Sequence, residues 1–271
     1  MPKRSKGDNW EYGDSYEQYI GRWSRLVAPQ FLAWLSISKG RRWLDVGCGT
    51  GALCRAILED CSPASLVGVD PSEGFLAKAN ETLAGRAKLS RSIATAIPLI
   101  DASVDVCCSA LVLNFISDPH QAVTEMSRVT RDGGRVAAYL WDYAGKMELI
   151  RFFWDTVLEI DPRGTEMDEG TRFPLCRPEA LTLLFRNAGL HAVEATAIDI
   201  TTSFSSFEDY WLPFLGGQGP APTYVIALDG SNRQRLRERL RQRLAPQADG
   251  SIVLTARAWA VQGTVARSAV P

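Results

Sequence analysis

Leu44-Asp45-Val46-Gly47-Cys48-Gly49-Thr50-Gly51 joins a short apolar run to a helical pattern through three glycines. Backbone that carries no side chain lets a ligand approach closely, so Gly47, Gly49 and Gly51, with Cys48 between them, are candidate ligand contacts. Turns of this kind also seat the pyrophosphate of a dinucleotide on a helix N-terminus. Two features weigh against a dinucleotide here. The sixth position counted from Gly47 is Ala52, and Asp45 places a carboxylate that repels a pyrophosphate but attracts a cationic amino end. Asp70 closes the next apolar run, where doubly wound folds hold ribose hydroxyls with an acid. Pro71 and Ser72 follow it. Glycine turn and acid together make both halves of an adenosine site.

The elements that must position these residues alternate. Apolar runs at 42–47, 65–70, 88–94, 104–110 and 134–141 read as strands, the last following the Asp132-Gly133-Gly134 turn. Helical patterns at 52–60, after Pro71-Ser72-Glu73, and at 119–130 separate them. Strands alternating with helices predict an α/β fold, a doubly wound, mostly parallel sheet covered on both faces. Beyond Trp141 the spacing predicts helices over 146–160 and 178–188, a strand over 191–200, an aromatic segment over 204–215 and a flexible loop over 216–222. An amphipathic helix over 233–244 with six arginines and a closing strand over 252–261 complete the chain. Near the N-terminus Tyr16, Tyr19 and Trp23 share one helical face, a candidate lid that includes Arg22.

Composition excludes several classes. Thirty Lys and Arg against thirty-one Asp and Glu leave a net charge of -1, with no global field for nucleic acid or anionic membrane. The 46% hydrophobic content suits a globular core. No window approaches the ~20 apolar residues of a membrane helix, and the basic N-terminus has no apolar run behind it to make a secretory signal. The six cysteines include no C-x-x-C pair. They read as reduced core thiols of a cytoplasmic protein, with no metal site expected and zinc or disulfides as the alternative.

The motifs resemble those of class I S-adenosylmethionine-dependent methyltransferases, within the small-molecule group that includes the ubiquinone and menaquinone C-methyltransferases. L-D-V-G-C-G-T-G resembles the first motif, V-G-V-D-P-S the second, A-I-P-L-I-D-A-S-V-D-V-C-C-S the middle one and V-T-R-D-G-G-R the turn after the following helix. The resemblance runs from about Tyr16 to Trp141. It implies a Rossmann-like, seven-stranded sheet with a reversed last strand, and a division into a helical lid (1–35), a cofactor-binding core (36–203), a helical cap (204–250) and a closing strand with tail (251–271). It also implies S-adenosyl-L-methionine as cofactor, with the glycines under its methionine part and Asp45 facing the amino group. Asp70 would accept from the ribose, Pro71-Ser72 lie beside the adenine, and Ala110 and Leu111 flank the sulfonium. Where the family often places an acid against the adenine amine, this chain has Ile93; Ala94 and Thr95 are the candidate replacements. Tyr19, Arg22 and Trp23 join the cofactor contacts from the lid.

Methyl transfer from a sulfonium is an in-line displacement driven mainly by positioning and exclusion of water, so it demands no fixed catalytic side chain. Acceptor-side candidates therefore come from position: Tyr16, Asn114, Trp141, Tyr143, Tyr210, Trp211 and Phe214, with Asp142 the candidate base. His120 and His191, the two histidines, read as structural or exposed. After the fourth strand S-A-L-V-L-N-F replaces the N-P-P-Y string associated with methylation of bases or glutamine. The expected partner is a small-molecule acceptor, with no nucleic acid and no membrane, in a monomer or homodimer. Rival readings are a noncatalytic S-adenosylmethionine- or nucleoside-binding scaffold, and a nicotinamide oxidoreductase.

Overall fold

The computed structural model describes residues 17–216 and 219–267; Tyr16 lies outside them. The described residues fall into two compact units.

The sheet unit comprises Ser24–Trp141, Leu175–Ile198 and the described residues from Ala258 onward. After α1 (Arg22–Leu35) come β1 (Arg42–Val46), α2 (Ala52–Asp60), β2 (Ser65–Asp70), α3 (Glu73–Leu83), β3 (Lys88–Arg91), β4 (Val104–Ala110), α4 (Pro119–Val129) and β5 (Thr130–Trp141). Strand order is β3-β2-β1-β4-β5-β7-β6. Pairing is parallel from β3 to β5 and antiparallel between β5 and β7. This is the predicted α/β class, reversed strand included. Every residue of β1 after Arg42 is buried, as expected of a strand covered on both faces. Ser72 caps α3 by accepting from the Phe75 N–H at 3.3 Å, and Asp118 caps α4 from Gln121 at 2.9 Å with Pro119 at its first position. These caps satisfy amide groups that each helix leaves unpaired.

Two boundaries differ from expectation in ways that matter. β3 ends at Arg91, so Ala94 and Thr95 belong to a loop. The Asp132-Gly133-Gly134 segment does not precede β5 but bulges within it, since the register jumps from Val104↔Thr130 to Val106↔Arg135. Asp105 pins the bulge: its carboxylate accepts from Nε of Arg42 at 3.1 Å and Nε of Arg131 at 2.6 Å. Although its surroundings desolvate it, the two arginines hold its pKa well below the carboxylate range. A Cβ on Gly134 would lie 2.5 Å from Thr130 Cγ2 and 2.8 Å from two carbonyl oxygens. Gly134→Ala is therefore expected to lower stability by about 1–3 kcal/mol, the usual cost of overpacking, read as a lower urea midpoint; an unchanged midpoint would refute this account of the bulge.

The helical unit comprises the described residues up to Trp23, Asp142–Pro174 and Asp199–Arg257. It contains a π-helical turn (Glu17–Gly21), α5 (Glu148–Ile160) and α6 (Glu169–Arg172); after α7 (Pro178–Asn187) and β6 (Leu190–Phe204), both begun in the sheet unit, come α8 (Phe207–Trp211), α9 (Pro220–Ala227) and α10 (Gly230–Arg243), before β7 (Ile252–Val265). Its core is aromatic: Phe153 stacks on Phe214 at 4.6 Å and Tyr210 packs on Phe214 at 5.3 Å. Leu236 and Leu240 bury one face of α10. Four of its six arginines are engaged: Arg237 and Arg241 with Glu208, Arg243 with Asp155 and Glu159, and Arg233 with carbonyls at the end of α9. These pairs account for much of the basic face.

Candidate functional site

The carboxyl ends of parallel strands form the ligand crevice of open sheets, and the sheet unit gathers its unusual chemistry there. Gly47, Gly49 and Gly51 all adopt positive φ, at 73°, 53° and 89°, a region open to glycine and strained for other residues. The Gly47 and Cys48 N–H groups both donate to the Val69 carbonyl, at 2.8 and 3.0 Å. A Cβ on Gly47 would lie 2.6 Å from Val112, so backbone and the segment after β4 meet more closely than a side chain allows. Asp70 locks the turn from β2. One carboxylate oxygen accepts from Gly49 N–H at 3.0 Å and the other from Ser72 N–H at 2.8 Å. Each oxygen keeps a second lone pair for a hydroxyl donor.

Asp45 is fully buried. Its Oδ2 accepts from the Cys54 thiol at 3.2 Å, while Oδ1 is buried without a hydrogen-bond partner among the described residues. Burial pushes its pKa up to about 7, against the Cys54 hydrogen bond and with a further push from Asp70. A buried acceptor left unpaired costs about 1–3 kcal/mol, and a cationic ligand group at Oδ1 removes that cost. Asn114 Nδ2, beyond the end of β4, and Trp141 Nε1, at the end of β5, are likewise buried and without a partner among the described residues. Leu111, just after β4, holds a positive φ of 61° while its N–H donates to the Tyr139 carbonyl at 2.8 Å. Strain at such a position is held in place by its surroundings and is common where ligands bind. A glycine cradle, an unpaired buried carboxylate oxygen and an acid at the next strand end fit an amino-acid-bearing nucleoside.

Ala94 and Thr95 are partly buried, and Ile93 beside them is 55% exposed. Tyr19, Arg22, Trp23, Tyr143, Tyr210, Trp211 and Phe214 all belong to the helical unit. There Arg22 pairs with Asp209 at 2.8 Å and lies over the Trp23 ring at 4.3 Å, and the Tyr210 hydroxyl donates to the Leu149 carbonyl at 3.0 Å. Asp142 accepts the Lys146 N–H at 2.9 Å and so shapes the turn into α5; this is why α5 starts later than its sequence pattern. His120 contacts the Asn187 carbonyl at 3.2 Å and is exposed, as is His191. Sequence reasoning passed over Glu169, a buried carboxyl in a charged stretch with no local pattern to set it apart. No group of three or more metal-binding side chains occurs among the described residues, and no helix among them is long and apolar enough to cross a membrane.

Residues 44–138 match a family described as a methyltransferase domain. The chain is 34% identical over 133 residues to a malonyl-[acyl-carrier protein] O-methyltransferase of Serratia marcescens, a stretch covering 49% of this chain and 51% of that protein. It thus spans about half the length of this curated relative, and 48% of an uncharacterised Mycobacterium leprae methyltransferase. Among solved structures, phosphoethanolamine N-methyltransferase 2 of Haemonchus contortus, in complex with S-adenosyl-L-methionine, shares the fold with TM-score 0.58 at 16% identity, over 94% of this chain and 57% of that one. The [4+2]-cyclase SpnF aligns with TM-score 0.56 at 17% identity, over 98% of this chain and 90% of its own. These likenesses support the broad family, and the quinone subgroup only loosely.

Proposed function

We propose that the protein, whose residues 44–138 match a family described as a methyltransferase domain, binds S-adenosylmethionine and transfers its methyl group to a small organic acceptor. The observation that carries the cofactor assignment is the unpaired Oδ1 of Asp45 beside the glycine cradle. In this reading Asp45 takes the ligand's ammonium group, Gly47, Cys48, Gly49 and Gly51 pass beneath its amino-acid part, and Asp70 accepts from the ribose hydroxyls through its remaining lone pairs. Pro71, Ser72, Ala94 and Thr95 border the adenine, and Ala110 and Leu111 the sulfur.

The cofactor supplies an electrophilic methyl on a cationic sulfur. The protein's own part is to align the acceptor with that carbon and keep water away, the two contributions that such a displacement can draw on most. Asn114 and Trp141 of the sheet unit offer an acceptor polar groups that have no hydrogen-bond partner among the described residues. Asp142 has one oxygen committed to the turn at Lys146, leaving Oδ1 as the base. Six buried cysteines outside any disulfide support a cytoplasmic setting.

The same fold in a [4+2]-cyclase illustrates that architecture does not dictate the reaction. Incubation with methyl-labelled cofactor and a panel of phenols, amines, thiols and carboxylates is expected to label one acceptor class. Cofactor binding in calorimetry with no label in any class would favour the noncatalytic binding reading, and binding of NAD in its place would overturn both.

A further inference from the structure

Asp45 has one oxygen open to a ligand, and the fold supplies a tether for the other. Cys54 stands on the first turn of α2, three residues past Gly51, the last glycine of the cradle. Its thiol donates to Oδ2 of Asp45 at 3.2 Å, bridging helix and strand, and both side chains are fully buried. The first amides of a helix have no partner within it, and the Cys54 backbone N–H acts on the same carboxylate. With Oδ2 held from α2, Oδ1 is left buried and, among the described residues, without a partner. The start of α2 is itself fixed: Gly51 caps it at φ 89°, packed so closely that a Cβ there would lie 3.3 Å from Leu83 of α3.

The other groups that face Asp45 are acids and thiols. In the sheet register it lies beside Gly68 of β2 and Cys108 of β4. Asp70 acts on it from β2, Cys107 and Cys108 feel its charge on β4, and Cys48 of the turn reaches Cys54. No cation is among these groups. Cys48, burial and Asp45 itself push the Cys54 thiol well above its ordinary pKa, so it stays protonated and donates throughout the neutral range. A hydrogen bond to the charged form of a carboxyl favours ionisation, whereas burial opposes it. We propose that Cys54 is a positioning residue for the cofactor's ammonium group: its thiol holds Oδ2 of Asp45, leaves Oδ1 to the ligand and sets the lower pH limit of binding. Cys54 makes no bond to the ligand itself. The inference rests on the reading that Asp45 receives that ammonium.

Calorimetry between pH ~5.5 and ~8 tests it on the full chain and its Cys54→Ala and Cys54→Ser variants, with S-adenosylmethionine as ligand and methylthioadenosine, which lacks the amino-acid part, as control. In the parent, S-adenosylmethionine affinity is expected to fall below the Asp45 pKa of about 7. Loss of the donor in Cys54→Ala should move that acid limb to higher pH by about one unit, weakening binding about fivefold at pH 7. Cys54→Ser, whose hydroxyl still donates, should return the limb to the parent's position or below it. Methylthioadenosine should show no such limb in any of the three. A cavity left by the lost sulfur weakens both ligands alike and moves no limb. A limb that stays in place in Cys54→Ala, or that Cys54→Ser fails to restore, overturns the proposal. Should the alanine variant fail to fold, Cys54→Val fills the space without a donor and takes its place. NMR of the Asp45 carboxyl carbon in the ligand-free proteins, assigned by its loss in Asp45→Asn, reads the same shift directly. An Asp45 titration that moves with Cys54 in a protein that does not bind S-adenosylmethionine sinks the cofactor reading; cofactor binding whose acid limb ignores Cys54 sinks the tether alone.

Discussion

Asp45→Asn is expected to weaken S-adenosylmethionine binding by about 2–3 kcal/mol, roughly 30- to 150-fold, because it removes the charge from a buried, hydrogen-bonded pair. The pH dependence sharpens the test. In the ligand-free protein Asp45 titrates near pH 7, so affinity should fall about tenfold for each unit below that value as the carboxylate is neutralised. Above pH ~8 the ligand's own α-amino group loses its proton, which leaves a narrow optimum between the two. The asparagine variant should lose the acid limb and keep the alkaline one. Stability moves the other way. A carboxyl whose folded pKa is raised binds more protons folded than unfolded between pH ~4 and ~7. The ligand-free parent therefore loses stability as pH rises through that window, and bound cofactor restores it. Thermal melts with and without ligand at pH 5 and pH 8 report this directly; a cofactor-induced shift of equal size at both, with unchanged affinity in Asp45→Asn, would remove Asp45 from the site.

Asp70→Ala carries the second large effect. The substitution deletes the acceptor proposed for the ribose and leaves two backbone donors, those of Gly49 and Ser72, without the carboxylate that holds them at 3.0 and 2.8 Å. Loss of charge-assisted bonds of this kind predicts about 1–3 kcal/mol weaker cofactor binding. Asp70→Asn separates the two roles, because the amide oxygen can still accept from one N–H while the charge is gone. We expect it to fall between parent and alanine in affinity, with a stability close to the parent's. Equal affinity in the alanine variant and the parent, measured by calorimetry, would show that the ribose lies elsewhere.

Much of this was legible in the residue order. Gly47, Gly49 and Gly51 announce a backbone-lined turn because few other residues tolerate their φ angles, and strands buried on both faces, such as β1 and β4, declare themselves as short apolar runs between helical patterns. Local chemistry also set the caps at Ser72 and Asp118. Interactions between distant residues were not legible. Asp132-Gly133-Gly134 looks like a turn by composition, yet Asp105, 26 residues from Arg131, makes it a bulge inside β5. Asp70 reads as a ligand acid, and only the fold shows that it also holds the glycine turn.

The chain's own order thus determined the α/β class, the sheet's crevice and the identity of the cradle, since each rests on neighbours a few residues apart. Tertiary structure alone decided which polar atoms are buried without partners: Oδ1 of Asp45, the hydroxyl of Tyr19 and their like. Whether an acid is solvated, paired or stranded depends on side chains that approach from remote segments, and that is why Glu169 carries no mark in the sequence and a distinct one in space.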